Sequence, residues 1–288
     1  MNVRASLLAA TLAFTATAAY ASPADQSFDR TLNVGSSPSV SVATGSGYIH
    51  LNPGSDSQVH IAAHIHANSG GWLDGGSENI ESRMKEIAAN PPIHQNGNEI
   101  VIGERHSGDL YRNISVDYDI TLPHASAISA SSGSGSVEIH DVGTSLRAET
   151  GSGNIRANGI HGGADLQTGS GSIEFAATAP GDVRAQTGSG SLHLNGVNGA
   201  LKAGTGSGSI EVAGNPTADW KLNTGSGTIR LNLAAAHFNV DASTGSGGIH
   251  VDQQIASSNI SRNHVAGAIN GGGPLVRAST GSGGIEIR

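Results

Sequence analysis

Three histidines in one short segment, His60, His64 and His66, have the clearest chemical potential in the chain. In an extended strand, residues an even number of positions apart lie on one face. All three imidazoles are therefore expected opposite Val59 and Ile61. Grouped imidazoles bind Zn²⁺, Cu²⁺ or Ni²⁺, but no acidic ligand is fixed among them. The segment favours an exposed polar face, with a periplasmic metal site as the alternative.

Two carboxylates, Asp117 and Asp119, share one face of another predicted strand. Glycoside hydrolysis needs such a pair, and long parallel β-helices often carry polysaccharide lyases and hydrolases. Aromatic residues for sugar stacking make up only 3% of the chain; Trp220 is expected to pack inward, and Trp72 lies in a predicted loop. We therefore expect a solvated face and no catalytic residue, with a carbohydrate-active β-helix enzyme as the alternative.

The elements that must position these side chains belong to a repeat. Eight Gly-Ser-Gly triplets run from Gly133 to Gly283, and a ninth stands alone at Gly45–Gly47. The residue before each of the eight is Thr or Ser, and successive ones are 18, 18, 19, 18, 19, 20 and 36 residues apart, the last step being twice 18. A regular period of this size predicts stacked units that bury a core only as an array.

Each unit contains two alternating apolar stretches, one before and one after the triplet, which is the pattern of short strands. Glycine supplies the left-handed or strained backbone that a sharp turn between them needs. With no helical segment between equivalent strands, the sequence predicts an all-β fold. Its architecture is a parallel β-helix of about 18–20 residues per rung, each turn lying about 4.8 Å from the preceding one. A right-handed coil is expected.

The outward residues form two columns in this prediction. After the triplet, acidic and basic-capable residues largely alternate along the chain: Glu138, Arg156, Glu174, His193, Glu211, Arg230, His250 and Glu286. Before it, the column is mostly basic: Arg147, Asp165, Arg184, Lys202, Lys221, Asp241 and Arg277. Alternating charges suit an in-register parallel stack. We expect the basic column to face solvent, with an acidic glycan or another subunit as the alternatives.

The N-terminal region is less regular. Residues 1–21, with Arg4, an apolar run and a small-residue cleavage pattern, predict a signal peptide. Residues 22–125 are expected to form irregular rungs and a cap, including an early rung around the first triplet. A short helix at about 77–89 should bury Ile80, Met84 and Ile87. Residues 126–288 are expected to form the regular β-helix repeats.

Composition limits the classes of function. The formal charge is −8, and there is no cysteine, which disfavours nucleic acid as a partner and excludes disulfides and thiolate metal sites. No later segment approaches the length of a transmembrane helix. A periplasmic or extracellular protein is therefore expected, with no transmembrane segment after removal of the signal peptide.

Several features together resemble a known group of domains. They are the signal peptide, the stretch Val116–Pro123, the serial Thr-Gly-Ser-Gly-x-Ile coils and the segment Gly271–Arg277 before the last triplet. This combination resembles the bacterial putative-adhesin family of β-strand-repeat domains, which are domains of unknown function. The resemblance covers nearly all of the chain after the signal peptide, and it implies the architecture without supplying catalytic or binding residues.

The sequence as a whole favours a non-catalytic secreted or periplasmic scaffold, an adhesin-like binding or structural module at the bacterial cell envelope. The expected partners are a cell-surface glycan, an envelope protein or another copy of the chain. No cofactor is expected.

Overall fold

The computed structural model describes residues 25–68, 77–103, 109–233 and 236–288. The predicted signal peptide and the loop containing Trp72 lie outside the described residues. The fold is all-β, as predicted, with long sheets of parallel strands. One cluster of buried side chains runs from Phe28 to Ile287.

In the described part of the region before the regular repeats there are seven strands, one helix and a 3₁₀ turn at Asp109–Tyr111. In chain order the helix and strands are β1 (Gln26–Asn33), β2 (Ser39–Thr44), β3 (Ile49–Pro53), β4 (Gln58–Ala67), α1 (Ser77–Ala89), β5 (Ile93–Asn96), β6 (Glu99–Ile102) and β7 (Ile114–Leu122). The helix lies where the sequence predicted it. Its apolar residues Ile80, Met84 and Ile87 are buried, and the helix contacts β1 and β4.

The regular repeats alternate between a strand before each triplet and a strand after it. They are β8 (Ala127–Ser132), β9 (Val137–His140), β10 (Ser145–Thr150), β11 (Ile155–Ile160), β12 (Gly163–Ser170), β13 (Ile173–Ala177), β14 (Val183–Ser189), β15 (Leu192–Val197), β16 (Leu201–Ser207), β17 (Ile210–Gly214), β18 (Trp220–Ser226) and β19 (Ile229–Asn232). The last strands are β20 (Phe238–Ser246), β21 (Ile249–Val251), β22 (Ile255–Ser261), β23 (His264–Ile269), β24 (Leu275–Ser282) and β25 (Ile285–Ile287).

Two sheets collect these strands. Sheet A contains the strands after the triplets together with β1, β4 and β7, in the order β1-β4-β7-β3-β9-β11-β13-β15-β17-β19-β25-β21. Sheet B contains the strands before the triplets together with β5, β6, β22 and β23, in the order β22-β23-β20-β24-β18-β16-β14-β12-β10-β8-β2-β6-β5. Neighbouring repeat strands are parallel and in register, so that Ile155, for example, pairs with Val137 and Ile173. The apolar residues assigned to the interior of both sheets are buried, apart from half-buried Ile249 and Val251. The right-handed sense of the coil stays a prediction.

The glycine triplets form a corner where coils touch through their backbones. A Cβ atom on Gly206 would lie 2.7 Å from the carbonyl oxygen of Gly188 in the preceding coil, and one on Gly188 would lie 2.6 Å from that of Gly169. The expectation that a turn conformation explains these glycines is therefore incomplete. It applies to third residues such as Gly208, whose φ is 151°. The first glycine is needed because two coils approach too closely for any side chain.

This close approach can be tested with two glycines of β16. Gly206→Ala is expected to lower the free energy of unfolding by about 1–3 kcal/mol, because the methyl group pushes two coils apart. Gly204→Ala is the matched control, since the nearest atom to its added Cβ lies 3.9 Å away. It should be neutral or stabilising by up to about 1 kcal/mol. Urea unfolding compares the two, and equal stabilities would contradict the backbone contact.

The coils do not stack in the order of the sequence at either end. At the N-terminal end, the coil of β2 and β3 lies between two coils that both follow it in the chain: β2 pairs with β8 and β6, and β3 with β9 and β7. At the other end, the last coil lies between the two before it: β24 pairs with β18 and β20, and β25 with β19 and β21. The predicted sequential stacking is wrong there. The last step of 36 residues spans two periods, but residues 252–272 do not form the additional coil. Instead, β22 and β23 form an antiparallel hairpin, and β23 pairs with β20.

This exchange of order predicts which isoleucine is more important for stability. Ile285 is fully buried between Ile229 and Ile249, whereas Ile249 is half-buried at the sheet edge. Ile285→Asp should therefore lower stability by several kcal/mol, because it buries an unpaired carboxylate. Ile249→Asp should cost clearly less. Thermal unfolding of the two variants distinguishes the arrangements, since sequential stacking requires the opposite ranking.

Candidate functional site

The histidine face lies at the N-terminal end of sheet A, on β4 between β1 and β7. As predicted, Val59 and Ile61 are buried while the three histidines lie on the opposite face, with His64 exposed and the others half-buried. The Nε2 atom of His60 lies 3.3 Å from Asp29 Oδ2.

The structure does not bring the three imidazoles together. His60 and His66 are six residues apart on a strand, which separates their backbones by roughly 20 Å. His66 Nδ1 instead lies 3.5 Å from Asp117 Oδ2 on β7. Within the described ranges, no group of three or more His, Asp or Glu side chains could hold a metal ion. The geometry therefore gives His60 and His66 each a carboxylate neighbour rather than a shared ligand.

The two carboxylates of β7 bind the residue that follows the first triplet, Tyr48. The backbone N–H of Tyr48 donates to Asp117 Oδ1 at 3.0 Å, and its hydroxyl donates to Asp119 Oδ2 at 3.1 Å. His50 stacks on the Tyr48 ring, with centroids 4.2 Å apart, and its Nδ1 lies 3.2 Å from Asp119 Oδ1. Asp117 and Asp119 thus share a face, as predicted, and both are engaged by neighbouring groups.

Tyr48 was not among the residues that the sequence singled out. Burial, followed by the charge of Asp119 and its hydrogen bond, raises the pKa of the Tyr48 phenol to about 12. A phenol that keeps its proton donates to the carboxylate and is a poor general base. Its position directly after Gly47 was the only available signal, and the register that places it beside β7 is a tertiary feature.

The outward column of sheet A alternates strictly once the strands are taken in spatial order. From the N-terminal end it reads Asp119, His50, Glu138, Arg156, Glu174, His193, Glu211, Arg230, Glu286 and His250. Arg156 lies 2.7 Å from Glu138 and 3.6 Å from Glu174, and Arg230 lies 3.3 Å from Glu286. Arg230 and His250 are consecutive when the column is read in chain order. Because the last coil lies between their coils, Glu286 separates them in space.

The outward column of sheet B departs from alternation on four neighbouring strands. Spatial order gives Arg147, Asp165, Arg184, Lys202, Lys221, Arg277 and Asp241. We call Arg184, Lys202, Lys221 and Arg277 the cationic row; all four are exposed. Like charges at such spacing repel by up to about 1 kcal/mol per pair in water.

The two ends of the cationic row have carboxylate partners. Arg184 Nε lies 3.8 Å from Asp165, and Arg277 Nε lies 2.9 Å from Asp241. The hydrogen bond from Arg277 is the main cause that lowers the pKa of Asp241. In the part of the chain that the structure describes, no ion pair joins Lys202 or Lys221 to a carboxylate. The two central charges are therefore available to an external anion.

Small and neutral residues lie beside the cationic row. Two positions further along the same strands are Gln186, Gly204, Asn223 and Ser279, followed after two more by the first glycines of the triplets. Gly204 has no side chain, and the space above it is open, since an added Cβ would meet no atom closer than 3.9 Å. The outward face of sheet B thus combines the cationic row with a strip of small or neutral residues. We call this strip, formed by Gln186, Gly204, Asn223, Ser279 and the first triplet glycines, the floor.

Comparison with known proteins identifies the type of domain. A family model described as Toastrack DUF4097 matches residues 76–288, and the family resemblance inferred from the sequence is confirmed. A comparison with curated proteins finds no match.

Among the solved structures that are similar to this chain, two share 12% identity with it. One is a putative adhesin from Bacteroides fragilis, covering 92% of this chain and 99% of its own, with a TM-score of 0.44. The other is a putative cell adhesion protein from Clostridium sporogenes, covering 91% and 99%, with a TM-score of 0.27.

The environment of Tyr48 predicts a measurable titration. Asp119→Asn should lower the pKa of Tyr48 from about 12 towards its ordinary value of 10.0, but not all the way, because burial remains. A raised phenol pKa contributes stability that is present below pH 10 and lost as the pH rises through about 12. Ultraviolet titration of tyrosinate measures the shift, and Tyr48→Phe identifies its component.

The control for this titration is Asp165→Asn on sheet B, which leaves the contacts of Tyr48 intact. An unchanged Tyr48 pKa in Asp119→Asn would refute the assigned hydrogen bond.

Proposed function

Since this chain belongs to the Toastrack DUF4097 family, we propose that it is a non-catalytic, adhesin-like scaffold that binds a polymer of the bacterial cell envelope. The observation that carries the proposal is the regular presentation of side chains on two long sheets. Each coil offers an outward residue at the same position as its neighbours, about 4.8 Å apart. Such a surface suits a ligand that itself repeats, because many weak contacts add along one direction.

The engagement of the carboxylates supports a binding role over the carbohydrate-active enzyme. Asp119 accepts the hydroxyl of Tyr48, and Asp117 accepts its backbone N–H. A glycosidase needs one carboxylic acid to protonate the leaving group and a second carboxylate to act as base or nucleophile. Neither aspartate is free for that task without breaking contacts that join β3 to β7.

The location at the envelope is also part of the proposal. It rests on the predicted signal peptide, whose removal would release the chain into the periplasm or to the exterior. Among the described residues, no helix is both long and apolar enough to cross the membrane.

Co-sedimentation with whole bacterial cells and with isolated envelope glycans tests the proposal. The purified chain should bind saturably and should release no reducing or unsaturated sugar ends from a panel of polysaccharides. Release of such ends would replace the scaffold by the enzyme alternative. Absence of binding to cells and to every envelope fraction would also refute it.

The metal-binding alternative has its own test. Retention of Ni²⁺ or Zn²⁺ by the chain, lost when His60, His64 and His66 are replaced by Ala, would favour that alternative over the scaffold. We expect no such retention, because the described histidines do not converge.

A further inference from the structure

We propose that the cationic row binds a linear acidic polysaccharide whose chain runs along the stack of coils, across the strands of sheet B. The inference rests on the proposed function and names its ligand class. Arg184, Lys202, Lys221 and Arg277 occupy neighbouring strands in register. The row therefore spans three strand separations, roughly 14 Å.

The contrast between the two sheets argues for a ligand. Sheet A alternates acid and base along its whole outward column, which shows that this chain can neutralise a stack of charges within itself. On sheet B the alternation stops for four consecutive strands, and carboxylates return only beyond Arg184 and Arg277. An anion for each strand would supply the missing partners. A polymer with one acid group per sugar carries such a series of charges.

The surroundings of the row fit an extended sugar chain. On one side, Asp182 and Asp219 are turned to the backbone, since each accepts an N–H from a neighbouring coil, Ala200 at 2.9 Å and Leu275 at 2.8 Å. On the other side lies the low floor that includes Gly204 and the triplet glycines. Sugar hydroxyls can hydrogen-bond to the amides of Gln186 and Asn223 there. The ligand would therefore lie on the floor, with its acid groups towards the row.

Charge also decides against other occupants. A second copy would need an unpaired acidic row, but Glu138, Glu174, Glu211 and Glu286 of the sheet A column each lie beside Arg or His on both neighbouring strands. Duplex nucleic acid presents two phosphate strands and is bound through many cations, while this chain carries a formal charge of −8. A single line of four cations matches a single-stranded acidic polymer better.

Binding to polygalacturonate, with neutral dextran for comparison, tests the inference. The full chain should bind polygalacturonate with an affinity that falls as salt rises, and should not bind dextran. Combining Lys202→Glu with Lys221→Glu should weaken binding by at least about tenfold, as expected for reversing two exposed contacts. Both side chains are exposed, and the changes relieve like-charge contacts with Arg184 and Arg277, so thermal unfolding should not shift to a lower temperature.

The matched control combines Arg30→Glu with Lys85→Glu, two exposed residues away from the row, and changes the net charge equally. It should bind within about twofold of the original chain, as surface changes off the site usually do. Equal weakening by both pairs would overturn the row as the site. Gly204→Glu adds an anion to the floor while keeping both lysines and should also weaken binding.

Three outcomes separate this inference from the proposed function. Binding to envelope glycans that survives the Lys202 and Lys221 changes would leave the scaffold standing and overturn the row. Binding to duplex DNA as tight as to polygalacturonate would overturn the assignment to polysaccharide. Failure to bind cells, envelope glycans and polygalacturonate would overturn both proposals together.

Discussion

The structure depends on close backbone contact between coils at the glycine corner. A hydrogen bond from the buried Thr or Ser before each triplet stabilises this contact. In each regular coil, the residue before the triplet donates its side-chain hydroxyl to the carbonyl oxygen of the glycine that ends the triplet of the adjoining coil, as Thr150 does to Gly135 at 2.8 Å and Thr205 to Gly190 at 2.9 Å. The same bond joins Thr280 to Gly227 and Thr244 to Gly283. A buried carbonyl without a partner is costly, so the hydroxyl and the missing Cβ atoms fix one register.

A fixed register gives the outward surface its order. Because the parallel strands are in register, each outward position becomes a column that runs along the stack, and the chemistry of a face is set by one residue per coil. Sheet A uses its column to pair charges between coils. Sheet B instead collects Arg184, Lys202, Lys221 and Arg277 without intervening acids. One architecture thus yields a self-neutralised face and a face with available charge.

The candidate sites were accessible to sequence reasoning only in part. Period 2 placed His60, His64 and His66 on one face and Asp117 with Asp119 on another, because strand geometry fixes which side a residue takes. It could not show that Tyr48 binds both aspartates, since those contacts join residues about 70 positions apart. Nor could it place Glu286 between Arg230 and His250, because spatial order differs from chain order there.

The sequence by itself determined the repeat, the two strands of each coil, their inward residues, the helix α1 and the family. These features are local, since they follow from alternation, glycine spacing and an apolar stripe within a few residues. Only the tertiary structure decided which coil lies on which. The triplets are nearly identical, and any coil can dock on any other through the same glycine and threonine contacts. The connecting segments therefore set the neighbours of the first and last coils. Strands β4 to β7 pair beyond the first coil, and the β22–β23 hairpin pairs beyond β20 at the other end.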